Sequence, residues 1–284
     1  MVPTVDLLAS YWTMATGGVP HTEHEFSSAG FQQRVAGAAR AGFTGFGLWH
    51  ADLEHTLKTM SLQDMRRILD DHGIKHVELE FINDWWFRDG ERKTDCDARK
   101  RLLFEAAEVL RARHIKAGDF YNTPCPMAQL VDSFAALCRE AQQRSGARIL
   151  FELMPFAQIK TLAGALELVT KADTPNGGIY FDLWHVVKIG IPLAELARVP
   201  ARFIGGVELN DGTFSAPWPM HEDTINHRRF CGEGEFDVRG FVKTLLAAGY
   251  SGPWGIEVLN QDVRTWPVER LAQHAFATTR AQFP

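Results

Sequence analysis

Three things are scarce in this chain of 284 residues, and each scarcity excludes a class of protein. Cysteine occurs four times, at Cys96, Cys125, Cys138 and Cys231, scattered and without a Cys-x-x-Cys pair. That spacing excludes a disulfide framework and a paired-thiolate zinc motif, and fits free thiols in a reducing compartment. Long apolar runs are missing, since no window approaches the roughly 18 uninterrupted apolar residues of a membrane span. The opening stretch MVPTVDLLASYWTM lacks the basic segment, apolar core and cleavage site of a secretory signal, so a cytoplasmic location is expected. Positive charge is also short. With 30 Lys and Arg against 35 Asp and Glu, the formal charge is −5, which speaks against nucleic acid as a partner.

What is present is an alternation. Short apolar, β-rich runs fall at about 4–10, 43–49, 75–81, 113–118, 147–153, 178–183, 203–209 and 253–258. Between them lie segments with apolar residues three and four apart, at 26–41, 62–71, 99–112, 127–143, 163–171, 192–196, 238–247 and 268–282. Strand followed by helix, eight times over, predicts an α/β fold, a single (β/α)8 TIM barrel spanning 1–284. Glycine-bearing turns such as Ala41-Gly42-Phe43-Thr44-Gly45 fit the stabilising face, and the aromatic, ionisable connections after the strands fit the catalytic face.

The strand ends carry the chemistry. Strand five ends in Glu152, strand six in Asp182, strand seven in Glu208 within GGVELND, and strand eight in Glu257. In a barrel these four meet at one mouth, where like charges raise each other's pKa unless something compensates them. One reading is a divalent cation held by Glu152, Asp182, Glu208 and Glu257. An all-oxygen set favours Mn²⁺ or Mg²⁺, and a histidine among the ligands widens the choice to Co²⁺ or Zn²⁺. The plainer reading pairs each carboxylate with a nearby Arg or Lys.

Glu152, the run Asp182-Leu183-Trp184-His185, Gly255-Ile256-Glu257 and Gly232-Glu233-Gly234 together resemble the xylose isomerase-like TIM-barrel superfamily, over most of the chain. Within it the sequence is most similar to sugar and cyclitol isomerases and epimerases of the tagatose 3-epimerase-like and inosose isomerase-like kinds; ring-ketone dehydratases are also relatives. The resemblance implies that Glu152 and Glu257 bind metal and transfer protons as a catalytic pair, that Asp182 is a ligand, and that His185 touches substrate oxygen. It also implies a small unphosphorylated sugar or cyclitol as partner, and a homo-oligomer. Where relatives show His-x-His on strand seven, this chain has Gly206 and Glu208, a departure that reads as a carboxylate-rich site or a released Glu208. If Glu208 is the fourth ligand, Glu208→Ala is expected to lower metal affinity together with activity.

Further substrate contacts are expected from Arg229, preferred over Arg228 where relatives place an arginine, and from Trp49 and His114; His114 and Lys116 alternate with Ile115, so both could face the barrel interior. Aromatics past the strand ends, among them Trp12, Phe120 and Phe156, suit the C–H face of a ring. No glycine follows strand eight in Leu259-Asn260-Gln261-Asp262, so a phosphate site is not expected. These residues point to a metal-dependent isomerase or epimerase working through an enediolate, with a ring-ketone dehydratase or 3-keto-glycoside-cleaving lyase as the alternative. An abasic-DNA endonuclease on this fold would need more histidine ligands and a basic face. A barrel that binds ligand without catalysis would differ in lacking bound metal.

Overall fold

A computed structural model describes residues 5–284. Eight parallel strands close into a barrel in sequence order: β1 Leu7–Ala9, β2 Gly45–Trp49, β3 His76–Ile82, β4 His114–Ala117, β5 Arg148–Glu152, β6 Gly177–Asp182, β7 Ile204–Leu209 and β8 Trp254–Ile256. β8 pairs back onto β1 through Leu7↔Trp254 and Ala9↔Ile256. Of the expected first strand, residue 4 lies outside the described residues.

Strand alternation sorts the side chains into two populations. One row, including Phe46, Leu48, Val77, Leu79, Ile115, Ile149, Phe151, Ile179, Phe181 and Val207, is fully buried in the apolar layer beneath the helices. Each such side chain contributes roughly 1.5–3 kcal/mol by leaving water. The alternate row carries Glu78, Glu80, His114, Lys116, Tyr180 and Glu208, all at most 2% exposed. Fully buried charges of this kind persist only when paired, so the barrel interior is a polar network.

The helices fall near their expected places, with two informative shifts. The helix Gly90–Leu110 begins well ahead of the expected 99–112, because its first turns carry little apolar periodicity. Ion pairs hold them instead, with Asp97 meeting Lys93 and Lys100, and Lys100 reaching Glu140 at 2.8 Å. The helix Phe31–Ala41 starts later than the expected 26–41. The segment before it is pinned as a loop: the Ser27 amide donates to Asp52 at 2.9 Å and that of Ser28 to the Thr16 carbonyl at 2.8 Å. This loop bends over the mouth and brings His21 and Glu25 to the cleft. No helix among the described residues is long and apolar enough to cross a membrane, and all four cysteines are buried and free.

Candidate active site

Glu152 is the last residue of β5, Asp182 the last of β6, and Glu257 follows directly on β8. Register fixes their levels, since Asp182 is the partner of Glu208 and Glu208 of Gly255. Parallel pairing of consecutive strands therefore brings the four carboxylates together. Two overlapping sets have ligand atoms mutually within 4.8 Å: Glu152, Asp182 and His185, and Asp182, Glu208 and Glu257. Asp182 also caps the short helix Leu183–Ile189, accepting from the His185 amide at 3.2 Å. That cap turns the chain so that the His185 ring comes back over the mouth, its Nε2 lying 3.6 Å from Glu152.

Two cations already sit among these carboxylates. The Arg228 guanidinium donates to Asp182 at 2.7 Å and to Glu257 at 3.0 Å. Arg229, the arginine expected in the site, is instead exposed and donates to the Glu233 carbonyl. Backbone pairing decides between them. Arg229 exchanges both backbone hydrogen bonds with Asp211 while Arg228 bonds Leu259, so neighbouring side chains point opposite ways and Arg228 faces inward.

The second cation is Lys116, which donates to both oxygens of Glu208 at 2.9 Å. Ser10 also donates to Glu208, and the Tyr180 hydroxyl lies 3.4 Å from it. Glu208, the expected fourth metal ligand, is thus paired with Lys116, and a ligand atom of it still lies within 4.8 Å of Asp182 and Glu257. Gly206 is where the family's other strand-seven histidine would stand; a Cβ there would lie 2.4 Å from the Tyr180 ring. Tyr180 packs under Lys116, whose ammonium is 4.4 Å from the ring centroid. His114, expected to touch substrate, lies deeper and is held by Glu78 at 2.6 Å, so it does not line the cleft.

Above this network opens a cleft of about 550 Å³, counting the part open to solvent, within the range of small-molecule sites. Glu152, Glu257, His185 and Arg228 line its polar side. Trp12, Trp49, Phe81, Phe120 and Phe156 form an aromatic wall, with Phe81 and Phe120 rings 4.6 Å apart. Trp49 keeps its expected place, donating its indole N–H to Glu25 at 3.1 Å. Glu80 also lines the cleft. Sequence reasoning passed over it, although two carboxylates two apart in the otherwise apolar β3 run His76-Val77-Glu78-Leu79-Glu80-Phe81 were the available signal.

The carboxyls are not equivalent. Burial pushes Glu152 up to about 8, with Glu257 and Asp182 adding to it against the pull of Lys116 and Arg228. Burial acts upward on Asp182 too, but Arg228, His185 and Asn210 outweigh it and hold that carboxylate ionised. Burial lowers His185 to about 3, leaving the ring neutral. For Lys116, burial opposes the charge while Glu208, Glu78 and Glu80 hold the proton on. Four carboxylates on β5–β8 thus gather around Lys116 and Arg228, with Glu78 and Glu80 of β3 also 3.6 Å from Lys116, so carboxyl groups outnumber the resident cations. The oxygen donor set, with ligand atoms mutually within 4.8 Å, fits a divalent ion, and His185 Nδ1, buried without a hydrogen-bond partner, is a further free donor atom.

The Gly232-Glu233-Gly234 motif has a structural origin. Asp211 accepts from the amides of Gly212, Gly232 and Phe236 at 2.8–3.0 Å, and a Cβ on Gly234 would lie 2.2 Å from its carboxylate. This loop carries Arg228 into the mouth.

A family model described as xylose isomerase-like TIM barrel matches residues 35–282. The chain belongs to that family. Among curated proteins, this xylose isomerase-like barrel is similar to 3-dehydroshikimate dehydratases of Pseudomonas aeruginosa (28% identical over 250 residues) and Pseudomonas putida (30% over 251), over 84% of this chain in each case. It spans only 38% of the length of either relative. It is also similar to an inosose isomerase of Bacillus velezensis, 21% identical over 81% of this chain and 83% of that protein. The solved structure of an IolI protein with a bound zinc atom superposes with a TM-score of 0.84 at 18% identity, covering 97% of each chain. That likeness establishes the shared fold.

Proposed function

We propose that this chain is the catalytic barrel of a divalent-metal-dependent lyase. It removes a proton beside the ketone of an unphosphorylated, polyhydroxylated ring and expels the β-hydroxyl as water. The observation that carries the reading is the convergence at one cleft of Glu152, Asp182 and His185, with ligand atoms mutually within 4.8 Å, beside an aromatic wall. Support for a ring ketone comes from the aromatic wall, and from curated relatives named for 3-dehydroshikimate and inosose, both hydroxylated ring ketones.

Glu152, Asp182 and Glu257 would hold the ion, Mn²⁺ or Mg²⁺ by their oxygen donors, with Co²⁺ or Zn²⁺ accommodated if His185 joins them. When bound, the ion supplies positive charge to the ketone oxygen next to the carbon that loses its proton. Glu152 takes that proton. Neutral His185, with Nδ1 unpaired, hydrogen-bonds a substrate oxygen and orients the ring. Arg228 fixes Asp182 and Glu257 in place, and the aromatic wall excludes water from the face under attack.

A second reading, an isomerase or epimerase, is favoured by Glu257 on β8, three strands round the barrel from β5, where it could return the proton to a different face or carbon. Product analysis with 3-dehydroshikimate, an inosose and a panel of keto-sugars in deuterated water separates the two. Loss of one water is the expected result. Solvent deuterium fixed at carbon without loss of water would sink the lyase reading in favour of the isomerase, and neither event with any compound would sink both.

A further inference from the structure

Glu80 is a buried carboxyl that the fold uses only in part, through one oxygen facing Lys116. Its neighbour on the same inward row, Glu78, accepts from Tyr180 at 2.7 Å and meets His114 at 2.6 Å through one oxygen; its Oε1 is also unpartnered, but Glu78 does not line the cleft. Glu80 is 2% exposed and lines the cleft, yet its Oε1 has no hydrogen-bond partner in the protein. Its other oxygen stands 3.6 Å from the Lys116 ammonium, beyond a good hydrogen bond. Leaving a buried polar atom unsatisfied costs about 1–3 kcal/mol, so its retention at the wall of a cleft points to a ligand that satisfies it.

Its place on the rim says what kind of atom that ligand offers. The carboxylates of the ion site occupy β5 to β8, whereas Glu80 stands on β3, two strands from Glu152 and three from Glu257 round the barrel. The wall contributed by β2, β3 and the β4 loop is otherwise Trp49, Phe81 and Phe120. A ring seated against those aromatics meets two acidic groups on that side, Glu25, which the Trp49 indole engages at 3.1 Å, and Glu80, whose Oε1 is unpartnered. Burial, with Glu257, Glu78 and Glu152 nearby, keeps the Glu80 carboxyl protonated against the pull of Lys116.

We propose that Glu80 is a catalytic acid that delivers a proton to the hydroxyl leaving from the substrate ring, a role resting on the dehydratase reading above. The step balances. Glu152 accepts the C–H proton beside the ketone and a carbon–carbon double bond forms as the β C–O bond breaks. The electron pair of that C–O bond stays on the departing oxygen, which takes the Glu80 proton and leaves as water. Glu80 ends as carboxylate and Glu152 as acid, and proton exchange with solvent restores both.

The test compares wild type and Glu80→Gln, both full-length and loaded with Mn²⁺, acting on 3-dehydroshikimate in deuterated water. Proton abstraction is read by NMR as exchange plus elimination, and water loss by mass spectrometry. The expected variant abstracts protons within about threefold of wild type and accumulates deuterated substrate, while water loss falls by about 100-fold or more, the size of a general-acid effect. Parallel loss of both activities, or loss of neither, overturns the role. Should Glu80→Gln not fold, Glu80→Asp gives the same division: abstraction kept with water loss reduced supports the role, and proportional loss of both overturns it. Failure of the underlying reading looks different, because wild type itself then neither exchanges nor eliminates, or isomerises without losing water.

Discussion

Lys116 has no solvent exposure and four carboxylates within 4.0 Å: Glu208 at 2.9 Å, Glu78 and Glu80 at 3.6 Å, and Glu257 at 4.0 Å. Removing one partner of a buried pair leaves the other charge uncompensated, at a cost of roughly 3–5 kcal/mol. Lys116→Met is therefore expected to lower unfolding free energy by about that amount, and pairing it with Glu208→Leu to recover a large part, as read by a chemical-denaturation double-mutant cycle. Strict additivity of the two changes would show that the pair is not coupled. Because Lys116 engages Glu208, a Glu208→Gln variant should keep Mn²⁺ affinity within about tenfold in a calorimetric titration, whereas Asp182→Asn should lose it. This reverses the expectation drawn from strand order alone. A second residue pair is as sharp: Arg229→Ala, on the exposed side, should change stability by no more than about 0.5 kcal/mol, while Arg228→Ala strands Asp182 and Glu257 and should be severely destabilising in the same assay.

At the scale of single elements, β7 owes its Gly-Gly start to what stands beside it. A Cβ at Gly206 would meet the Tyr180 ring at 2.4 Å, and that ring supports Lys116. Gly206→Ala is expected to destabilise by about 1–3 kcal/mol through overpacking, measured by thermal unfolding. An unchanged Tm would mean that Tyr180 moves freely, and would remove the steric reason for glycine at that position. The elements also show where sequence stops being legible. Glu152, Asp182 and Glu257 could be found because each closes a local strand pattern, so period and position along the barrel suffice to place them. Lys116 was readable as inward-facing from its alternation with Ile115, but its partner Glu208 lies 92 residues away, and no local pattern names it. Arg228 and Arg229 sit in a loop without period, where two isolated bridges set the facing. The early turns of the helix Gly90–Leu110 were invisible because ion pairs, not an apolar stripe, hold them.

At the scale of the whole molecule, a parallel barrel gathers carboxylates from consecutive strands at one mouth, where their ligand atoms come within 4.8 Å of one another. The same closure sets an aromatic wall and Glu80 of β3 beside the cleft, the placement on which the proposed base, ion and acid rest. Family membership fixes the scaffold and leaves the reaction to the site, as shared folds do. The central claim is that this site makes a carbon acid of its substrate with the help of a bound ion. The most direct measurement follows proton abstraction beside the ketone of 3-dehydroshikimate in deuterated water by NMR, as exchange plus elimination, while Mn²⁺ is titrated into metal-free protein. Abstraction should appear with the metal, saturate at one ion per chain, and be lost in Glu152→Gln. Abstraction at full rate without a divalent ion, or at full rate in Glu152→Gln, would contradict the account.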